Sequence, residues 1–413
     1  MTKKIVLAVC MCFLVTSATV KADELGELKR QFEQQKKVMN KMEKRIEQLE
    51  SDKGTTQDLS WLKSIEWIKR VKWSGDIRYR HEYIDDETEA TNHRNRHRIR
   101  ARLKMKAKVN DQVDATVRIA TGSSDSPTST NQTLDMAFSS HPIWLDQAFA
   151  DYHPDLVPGL HVLAGKMSNP FYKVGGHQLF WDGDVTPEGG AITYTHGFFN
   201  GQTTVNVNTG GFWVDERNAG PSVDTSLWGA QVYVKQKLPY NMHLIGGTTY
   251  YDFGNIENRT VAGIGFNGNT QNAAGNYMYD YNIIEGFGEF GIKVFSFPIA
   301  VYGAYLNNIA ATSNKDSAWI TGVKFVKFGK AKKPGSFQIA YDYREVDSDA
   351  VVGGFCDSDF AGGMTDSRGY KISAKYQLMK NWQLGLTYFH NEMNSSTTED
   401  ELNLLQADLI FKF

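Results

Sequence analysis

The stretch RNRHRIRARLKMKAKV, residues 94–109, decides the fold. Arginine or lysine occupies every even position, and the odd positions are mostly apolar. On a helix, charges spaced two residues apart would spread around the whole circumference, whereas on a strand they form one row. The stretch therefore predicts a β-strand with one cationic face, which carries Arg94, Arg96, Arg98, Arg100, Arg102, Lys104, Lys106 and Lys108.

The same alternation of polar and apolar residues continues on both sides of this strand. Arg78 and Arg80 extend the cationic row onto the preceding strand, and Arg118 extends it onto the following one. We call these eleven residues the basic ladder. From residue 73 to residue 413 the alternation predicts an even number of strands, sixteen, at 73–84, 94–109, 113–121, 143–153, 159–167, 190–199, 201–214, 225–238, 241–254, 281–296, 298–310, 317–329, 335–347, 368–380, 382–393 and 402–413.

The connections between these strands alternate between short turns and mostly longer loops. The longer set comprises residues 85–93, 122–142, 168–189, 215–224, 255–280, 311–316, 348–367 and 394–401. Short turns at one end and long loops at the other are typical of outer-membrane barrels. The last strand ends at Phe413, and an aromatic C-terminus is the signal that the barrel-assembly machinery recognises. We therefore predict an all-β fold, a 16-stranded antiparallel transmembrane β-barrel over residues 73–413.

A closed barrel also determines where the basic ladder points. Closure pairs every backbone N–H and C=O group without leaving a sheet edge, and sixteen strands leave a lumen wide enough for water. A lysine or arginine that faces lipid near the midplane costs about 2–4 kcal/mol, so the ladder is predicted to face the lumen. There it would attract anions. The alternative is a solvated polar face whose charge is balanced by acidic residues on other strands.

The composition excludes several other classes of protein. The 413 residues contain no apolar run of the roughly 18–20 residues that a membrane-spanning helix needs. Aromatic residues make up 12% of the chain, and only 10 residues are proline, which argues against a disordered protein. Residues 1–22 have the pattern of a secretory signal peptide, which is removed on export. Without them the formal net charge changes from −2 to −5, because Lys3, Lys4 and Lys21 are lost. An exported, acidic chain is not expected to bind nucleic acid.

The N-terminus carries two predicted segments before the barrel. Residues 1–22 combine Lys3 and Lys4 with an apolar run from Ile5 to Val15, which predicts a secretory signal peptide. The exported chain retains one cysteine, Cys356, and so has no internal disulfide.

Residues 23–53 show the 3,4 spacing of a coiled coil, and 54–72 read as a linker with a short helix. Since an isolated helix of this length is marginal in water, we expect self-association, with a homotrimer as the first hypothesis. The coiled coil would lie in the periplasm, and a single surface helix is the alternative. The predicted core positions are Leu25, Leu28, Phe32, Gln35, Met39, Met42, Ile46 and Leu49.

The connection 168–189 is unusually apolar for a surface loop. Phe171, Phe180 and Trp181 would pack well if the loop folded into the barrel. Its acidic residues would then face the basic ladder and create a transverse field. We expect a constriction loop on this basis, with an ordinary external loop as the alternative. The acidic residues concerned are Asp182, Asp184 and Glu188.

Four stretches carry a resemblance to a known family. They are WSGDIRYRHEYID (73–85), the RNRHRIRARL run, residues 120–154, and GKMSNPFYKVGGHQLFWDGDVTPEGG (165–190). They resemble the Putative porin family of the Gram-negative outer membrane, whose plan is a coiled coil followed by a barrel. The resemblance implies passive diffusion of small hydrophilic solutes through an outer-membrane channel, surrounded by membrane lipid. The basic ladder adds an expected modest preference for anionic solutes.

Motifs for other chemistry are weak. Gly263-x-Gly265-x-x-Gly268 lacks the βαβ unit that a dinucleotide site requires, and Ser60-x-x-Lys63 lies in a predicted linker. His93 and His97 have no third metal ligand nearby in the sequence. We therefore predict neither an enzyme nor a bound cofactor or metal. A tether, an adhesin or an enzyme built on the barrel remain the alternative functions.

Overall fold

The computed structural model describes residues 69–88, 93–123, 126–218, 223–295, 297–327 and 333–413, together with helical residues 30, 33, 34, 36–38, 40, 41 and 44. The signal peptide, the linker up to residue 68 and all eight predicted coiled-coil core positions lie outside the described residues. Those three features therefore stay predictions. Within the described part of the chain, no helix is long and apolar enough to cross a membrane.

Residues 69–413 form one unit built almost entirely of β-strands. Sixteen of its strands are long, and a two-residue strand, β4, lies within the connection 122–142. The strands are β1 (Val71–Asp86), β2 (His93–Asn110), β3 (Val113–Thr121), β4 (Gln132–Thr133), β5 (Ile143–Tyr152), β6 (Leu160–Lys166), β7 (Glu188–Phe198), β8 (Thr203–Asp215), β9 (Thr225–Leu238), β10 (Met242–Gly254), β11 (Tyr281–Val294), β12 (Phe297–Asn308), β13 (Ser317–Lys327), β14 (Phe337–Val346), β15 (Ser367–Met379), β16 (Trp382–Met393) and β17 (Asp400–Lys412).

The sheet closes on itself. Each long strand pairs antiparallel with its neighbours, and β1 pairs with both β2 and β17. In the closing register Arg78 lies opposite Arg100 on one side and opposite Ile410 on the other. The prediction of a 16-stranded antiparallel barrel is confirmed, with every predicted strand end within two residues of the observed one. The sequence did not predict β4, because two residues are too short to show a period.

Alternation along each strand separates an inner face from an outer face. On β1, Arg78, Arg80 and Glu82 are buried inside, whereas Ile77 and Tyr79 are exposed outside. The other strands follow the same pattern, so the outer surface is rich in exposed apolar and aromatic side chains. The period of two that predicted the strands thus also sets the polarity of both faces.

Three long connections fold into the barrel and pack against one part of its wall. They are residues 167–187, 255–280 and 347–366, and their apolar side chains form a buried cluster with the inner faces of β8–β13. Burial of this apolar surface holds the loops inside, since each fully buried large apolar side chain contributes roughly 1.5–3 kcal/mol. The loops therefore occupy the lumen on the β8–β13 side.

Candidate functional site

A cavity of about 440 Å³ lies inside the barrel on the opposite side from the apolar cluster. We call it the chamber. Its wall is formed by β1, β2 and β15–β17, and its other side by the loops 167–187 and 347–366. Seven basic and six acidic side chains line it, which gives a formal charge of +1. They are Arg78, Arg80, Arg100, Arg102, Lys371, Lys375 and Lys412, and Asp76, Asp182, Asp184, Asp357, Asp359 and Asp408.

The register of β1 and β2 brings arginines directly opposite each other. Arg78 lies opposite Arg100, and Arg80 lies opposite Arg98. Like charges in this arrangement destabilise a sheet. The barrel offsets the repulsion with three carboxylates, each of which is shared by at least two arginines.

Asp76 and Glu82 are the shared carboxylates on β1 itself. Asp76 lies 2.7 Å from Arg100 and 2.8 Å from Arg102, measured between carboxylate oxygens and Nη2 atoms. Glu82 is fully buried, with an oxygen 2.6 Å from Nε of Arg96. Arg80 lies 3.5 Å from Glu82, and Arg98 lies 3.9 Å from it.

The third shared carboxylate comes from the last strand. Asp408 on β17 accepts hydrogen bonds from Nε and Nη2 of Arg80 at 2.7 and 2.9 Å. It also lies 3.8 Å from Nη1 of Arg78. Closure of the barrel therefore supplies the counter-charge for two arginines that stand 328 to 330 residues earlier in the chain.

The rest of the basic ladder lies away from the chamber. Lys106 pairs with Asp114 at 2.8 Å, Lys108 pairs with Asp111 at 2.7 Å, and Arg118 pairs with Asp146. Arg94 and Arg96 line a smaller cavity of about 270 Å³ toward the loop end of the barrel. Among the described residues, Arg94 and Lys104 make no ion pair. The structure thus divides the ladder into separate groups and compensates most of its charge.

The connection 167–187 is held by aromatic packing. Phe171, Phe180 and Trp181 are buried, and the rings of Phe171 and Phe180 each lie 5.1 Å from the ring of Tyr251 in edge-to-face contact. Lys173 Nζ donates to the carbonyl oxygen of Trp181 at 2.7 Å, and burial lowers the pKa of this amine to about 8. These contacts fix the two aspartates that follow Trp181 at the edge of the chamber.

Asp182 and Asp184 occupy different environments. Asp184 lies 3.4 Å from Arg102 and accepts a hydrogen bond from the backbone N–H of Thr130. Asp182 is buried and accepts hydrogen bonds from the backbone N–H groups of Asp184 and Ser358. Burial, reinforced by the charges of Asp357 and Asp184, holds the pKa of the Asp182 carboxyl well above its usual range.

Glu188 differs from the sequence prediction. It begins β7 instead of lying in the loop, and its carboxylate pairs with Lys166 at 2.6 Å while remaining 63% exposed. It therefore faces Lys166 and does not face an arginine of the basic ladder. The physical reason is its strand position, which sets the direction of its side chain by alternation.

The connection 347–366 forms part of the site that sequence reasoning missed. Asp359 pairs with Arg80 at 2.9 Å. Burial favours the neutral acid, but Arg80 outweighs burial and lowers the pKa of Asp359 to about 2. Asp357 pairs with the buried Arg344 at 2.7 Å. The available signal was the run of apolar residues at 350–352, which is unusual for an external loop.

Two further features of this connection follow from its burial. The backbone N–H of Asp182 donates to the carbonyl oxygen of Phe355, which ties the two inward loops together. Cys356 is 6% exposed, and burial raises the pKa of its thiol to about 12. Both the chamber and the smaller cavity are lined by Ser358 and Asp359, so the Arg80–Asp359 pair lies where the two cavities meet.

The histidines near the ladder lie on the other side of the sheet. The His97 ring stacks on Tyr79, which is exposed outside, and its Nδ1 lies 2.7 Å from the Tyr79 hydroxyl. The ring of His93 stacks on Tyr83, also an exposed residue. Among the described residues, no group of three or more His, Cys, Asp or Glu side chains is arranged to hold a metal ion.

Comparison with known proteins gives one family. A family described as "Putative porin" matches residues 82–283 and 270–413. No curated protein matches the chain significantly.

Several solved structures are similar to the chain at low sequence identity. OprB of Pseudomonas putida, in a structure at high pH, is 10% identical with a TM-score of 0.55, and the match covers 87% of this chain and 98% of that one. A Vibrio cholerae OmpT variant that lacks loop L8 is 12% identical, with a TM-score of 0.45 and coverage of 83% and 99%. A triple mutant of the Rhodopseudomonas blastica porin is 11% identical, with a TM-score of 0.45 and coverage of 83% and 100%. The OprB structure supports the barrel fold.

Proposed function

The chain belongs to the Putative porin family, and on this premise we propose that it forms a water-filled channel in the Gram-negative outer membrane for passive diffusion of small hydrophilic solutes. The observation that carries the proposal is the chamber, a charged cavity of about 440 Å³ inside a closed barrel. A closed barrel with an apolar outer surface satisfies its backbone in lipid, and its polar lumen admits water.

We further propose that the channel prefers anions modestly. The chamber carries a formal charge of +1, because its four arginines and three lysines together outnumber its six carboxylates. An ion responds to the wall charge within a Debye length of about 8–10 Å, so the net charge of the whole chain matters less. Replacement of Arg98, Arg100 and Arg102 by Gln should therefore shift the selectivity toward cations.

The orientation of the barrel in the membrane is inferred from its connections, which are short at one end and mostly long at the other. We propose that the long loops start from the extracellular end of the barrel, that both termini are periplasmic, and that the N-terminal coiled coil supports a homotrimer. The barrel-assembly machinery would recognise Phe413 in the last strand. Cysteines placed at the exposed Glu257 or in loop 394–399 form the first set, and cysteines placed near residue 334 form the second set; together they test the orientation. An impermeant thiol reagent applied to whole cells should label the first set only, and the opposite pattern contradicts the orientation.

Liposome swelling tests the channel itself. Vesicles that contain the protein should swell in solutions of small sugars, at a rate that falls with sugar size. Thr387 lines the chamber, whereas its neighbour Leu386 is 52% exposed on the outer face. Thr387→Trp should slow swelling severalfold, and Leu386→Trp serves as the matched control.

The outcomes separate the candidate functions. Absence of swelling with correctly folded protein refutes the channel and favours a tether, an adhesin or an enzyme. Equal swelling for both variants means that solutes pass elsewhere in the barrel.

A further inference from the structure

A second set of cationic side chains lines the chamber from strands β15 and β17, across the seam where β17 pairs with β1. Lys371 and Lys375 lie on β15, and Lys412 lies on β17. Their neighbours Ile372 and Tyr376 are exposed on the outer face, so alternation directs the lysines inward. No sequence pattern singled them out, because Lys412 lies on a different strand from Lys371 and Lys375.

These lysines differ from the arginines in how far their charge is compensated. Lys371 pairs with Asp342 at 3.3 Å. Among the described residues, Lys375 makes neither an ion pair nor a hydrogen bond through its side chain, and Lys412 contacts only the amide oxygen of Gln383, at 3.4 Å. Both Lys375 and Lys412 are exposed to solvent although they lie inside the barrel. They are therefore available to an incoming anion.

Arg78 adds a directional donor to the same wall. Its guanidinium is about nine-tenths buried, and its Nη2 donates to Asn131. Its buried Nε has no hydrogen-bond partner among the described residues. In the register of β1 and β17, Lys412 lies opposite Asp76, two residues from Arg78. Diagonal neighbours of this kind are about 7–8 Å apart, within reach of long side chains.

The strand register near Lys375 places Asp408 on the same inner face, two strands away. Lys375 lies opposite Gly385 on β16, and Gly385 lies opposite Asp408 on β17. Because Gly385 has no side chain, the side chain of Asp408 lies over it, with the Asp408 Cβ 3.2 Å from where a Cβ of residue 385 would stand.

We propose that Lys375, Lys412 and Arg78 form a binding subsite for small oxyanions, carboxylates or phosphates, within the chamber. The subsite rests on the proposed channel function and adds a solute class to it. Ammonium and guanidinium groups form short, charge-assisted hydrogen bonds to oxyanions, and an orphaned Nε gains a partner when one binds. The other arginines maintain the wall with their shared carboxylates, and the two lysines that make no ion pair among the described residues hold the solute together with Arg78.

Block of the chloride current tests the subsite. In planar bilayers with KCl, inorganic phosphate or acetate should reduce the wild-type chloride current in a saturable way. The double variant Lys375→Gln/Lys412→Gln should raise the half-blocking concentration at least fivefold for both probes. Lys106→Gln/Lys108→Gln is the matched control, since it removes the same charge from residues outside the chamber and should leave the block unchanged. Lys375→Arg/Lys412→Arg should retain the block.

Each outcome decides a separate point. Equal block in wild type and in the Lys375→Gln/Lys412→Gln variant overturns the subsite. An equal loss of block in the control variant also overturns it, because the block would then depend on the overall positive charge of the barrel and not on these two lysines. Normal KCl conductance without any block also overturns the subsite but leaves the channel standing. If the wild type conducts no current, the channel proposal fails. The subsite is then tested by phosphate NMR: solubilised wild type should broaden the phosphate signal and the Lys375→Gln/Lys412→Gln variant should not, and equal broadening overturns the subsite.

Discussion

Removal of the Asp76 charge should make the channel more selective for anions. Asp76 is the carboxylate that Arg100 and Arg102 share, and it lines the chamber. Asp76→Asn keeps the size of the side chain and an oxygen that accepts hydrogen bonds. It removes one negative charge from a wall whose formal charge is +1.

The size of the effect follows from Coulomb's law. A unit charge about 6 Å from a passing ion contributes ~0.7 kcal/mol in water. At 0.1 M salt, screening over about 10 Å reduces this to ~0.4 kcal/mol. The local anion concentration should rise about twofold and the cation concentration should fall about twofold, so the permeability ratio should change about fourfold.

The assay is the reversal potential of single channels in a KCl gradient at low salt. Asp111→Asn is the control, because Asp111 pairs with Lys108 in an exposed turn outside the chamber. It should change the ratio little. If Asp76→Asn conducts normally with an unchanged reversal potential, the Asp76–arginine group does not lie on the ion path, and the reasoning is refuted.

Four further predictions concern loops, thiol and oligomer. Cys356 should resist a maleimide at pH 7 in the folded barrel and react on unfolding, because its thiol is buried with a pKa of about 12; rapid labelling of the native protein would contradict this burial. Phe180→Ala should lower the free energy of unfolding by about 3–5 kcal/mol in a urea titration, since it leaves a cavity beside Tyr251, and a loss under 1 kcal/mol would mean that the loop is not anchored there. The folded-state pKa of Lys173, about 8, lies below its usual 10.5, so the unfolded chain binds more protons between these values; the barrel should gain stability as pH rises from 8 to 10, and Lys173→Met should remove that gain. Deletion of residues 23–55 should lower the thermal stability of the oligomer without abolishing conduction, and unchanged melting would assign the coiled coil another role.

Most of the barrel could be predicted because its signal is local. The period of two that runs through residues 94–109 is repeated in every long strand, and the turn residues mark the ends. The cost of a charge in lipid predicted an inward direction for the basic ladder, and Arg78, Arg80, Arg100 and Arg102 line the chamber. The aromatic residues of the connection 168–189 predicted that it folds into the barrel, and Phe171, Phe180 and Trp181 belong to the buried apolar cluster.

The ion pairs between the basic ladder and carboxylates could not be predicted from local sequence patterns. Asp408 reaches Arg80 only because the last strand pairs with the first, and Asp359 reaches it only because a second loop folds inward. Likewise, Lys375 and Lys412 lie on different strands and meet at one chamber through the register of the closed sheet. Long-range pairing decides these contacts, and a sequence pattern that covers one strand contains no information about it.

The reversal potential of the wild-type channel tests the central claim most directly. Single channels should be recorded in a tenfold KCl gradient with no other solute. The chamber contains two lysines without an ion pair among the described residues, and arginines that share carboxylates. We therefore expect a conducting pore whose reversal potential lies on the chloride side of zero but well short of the chloride equilibrium potential. A reversal potential on the potassium side, or folded protein that conducts no current, would contradict the account.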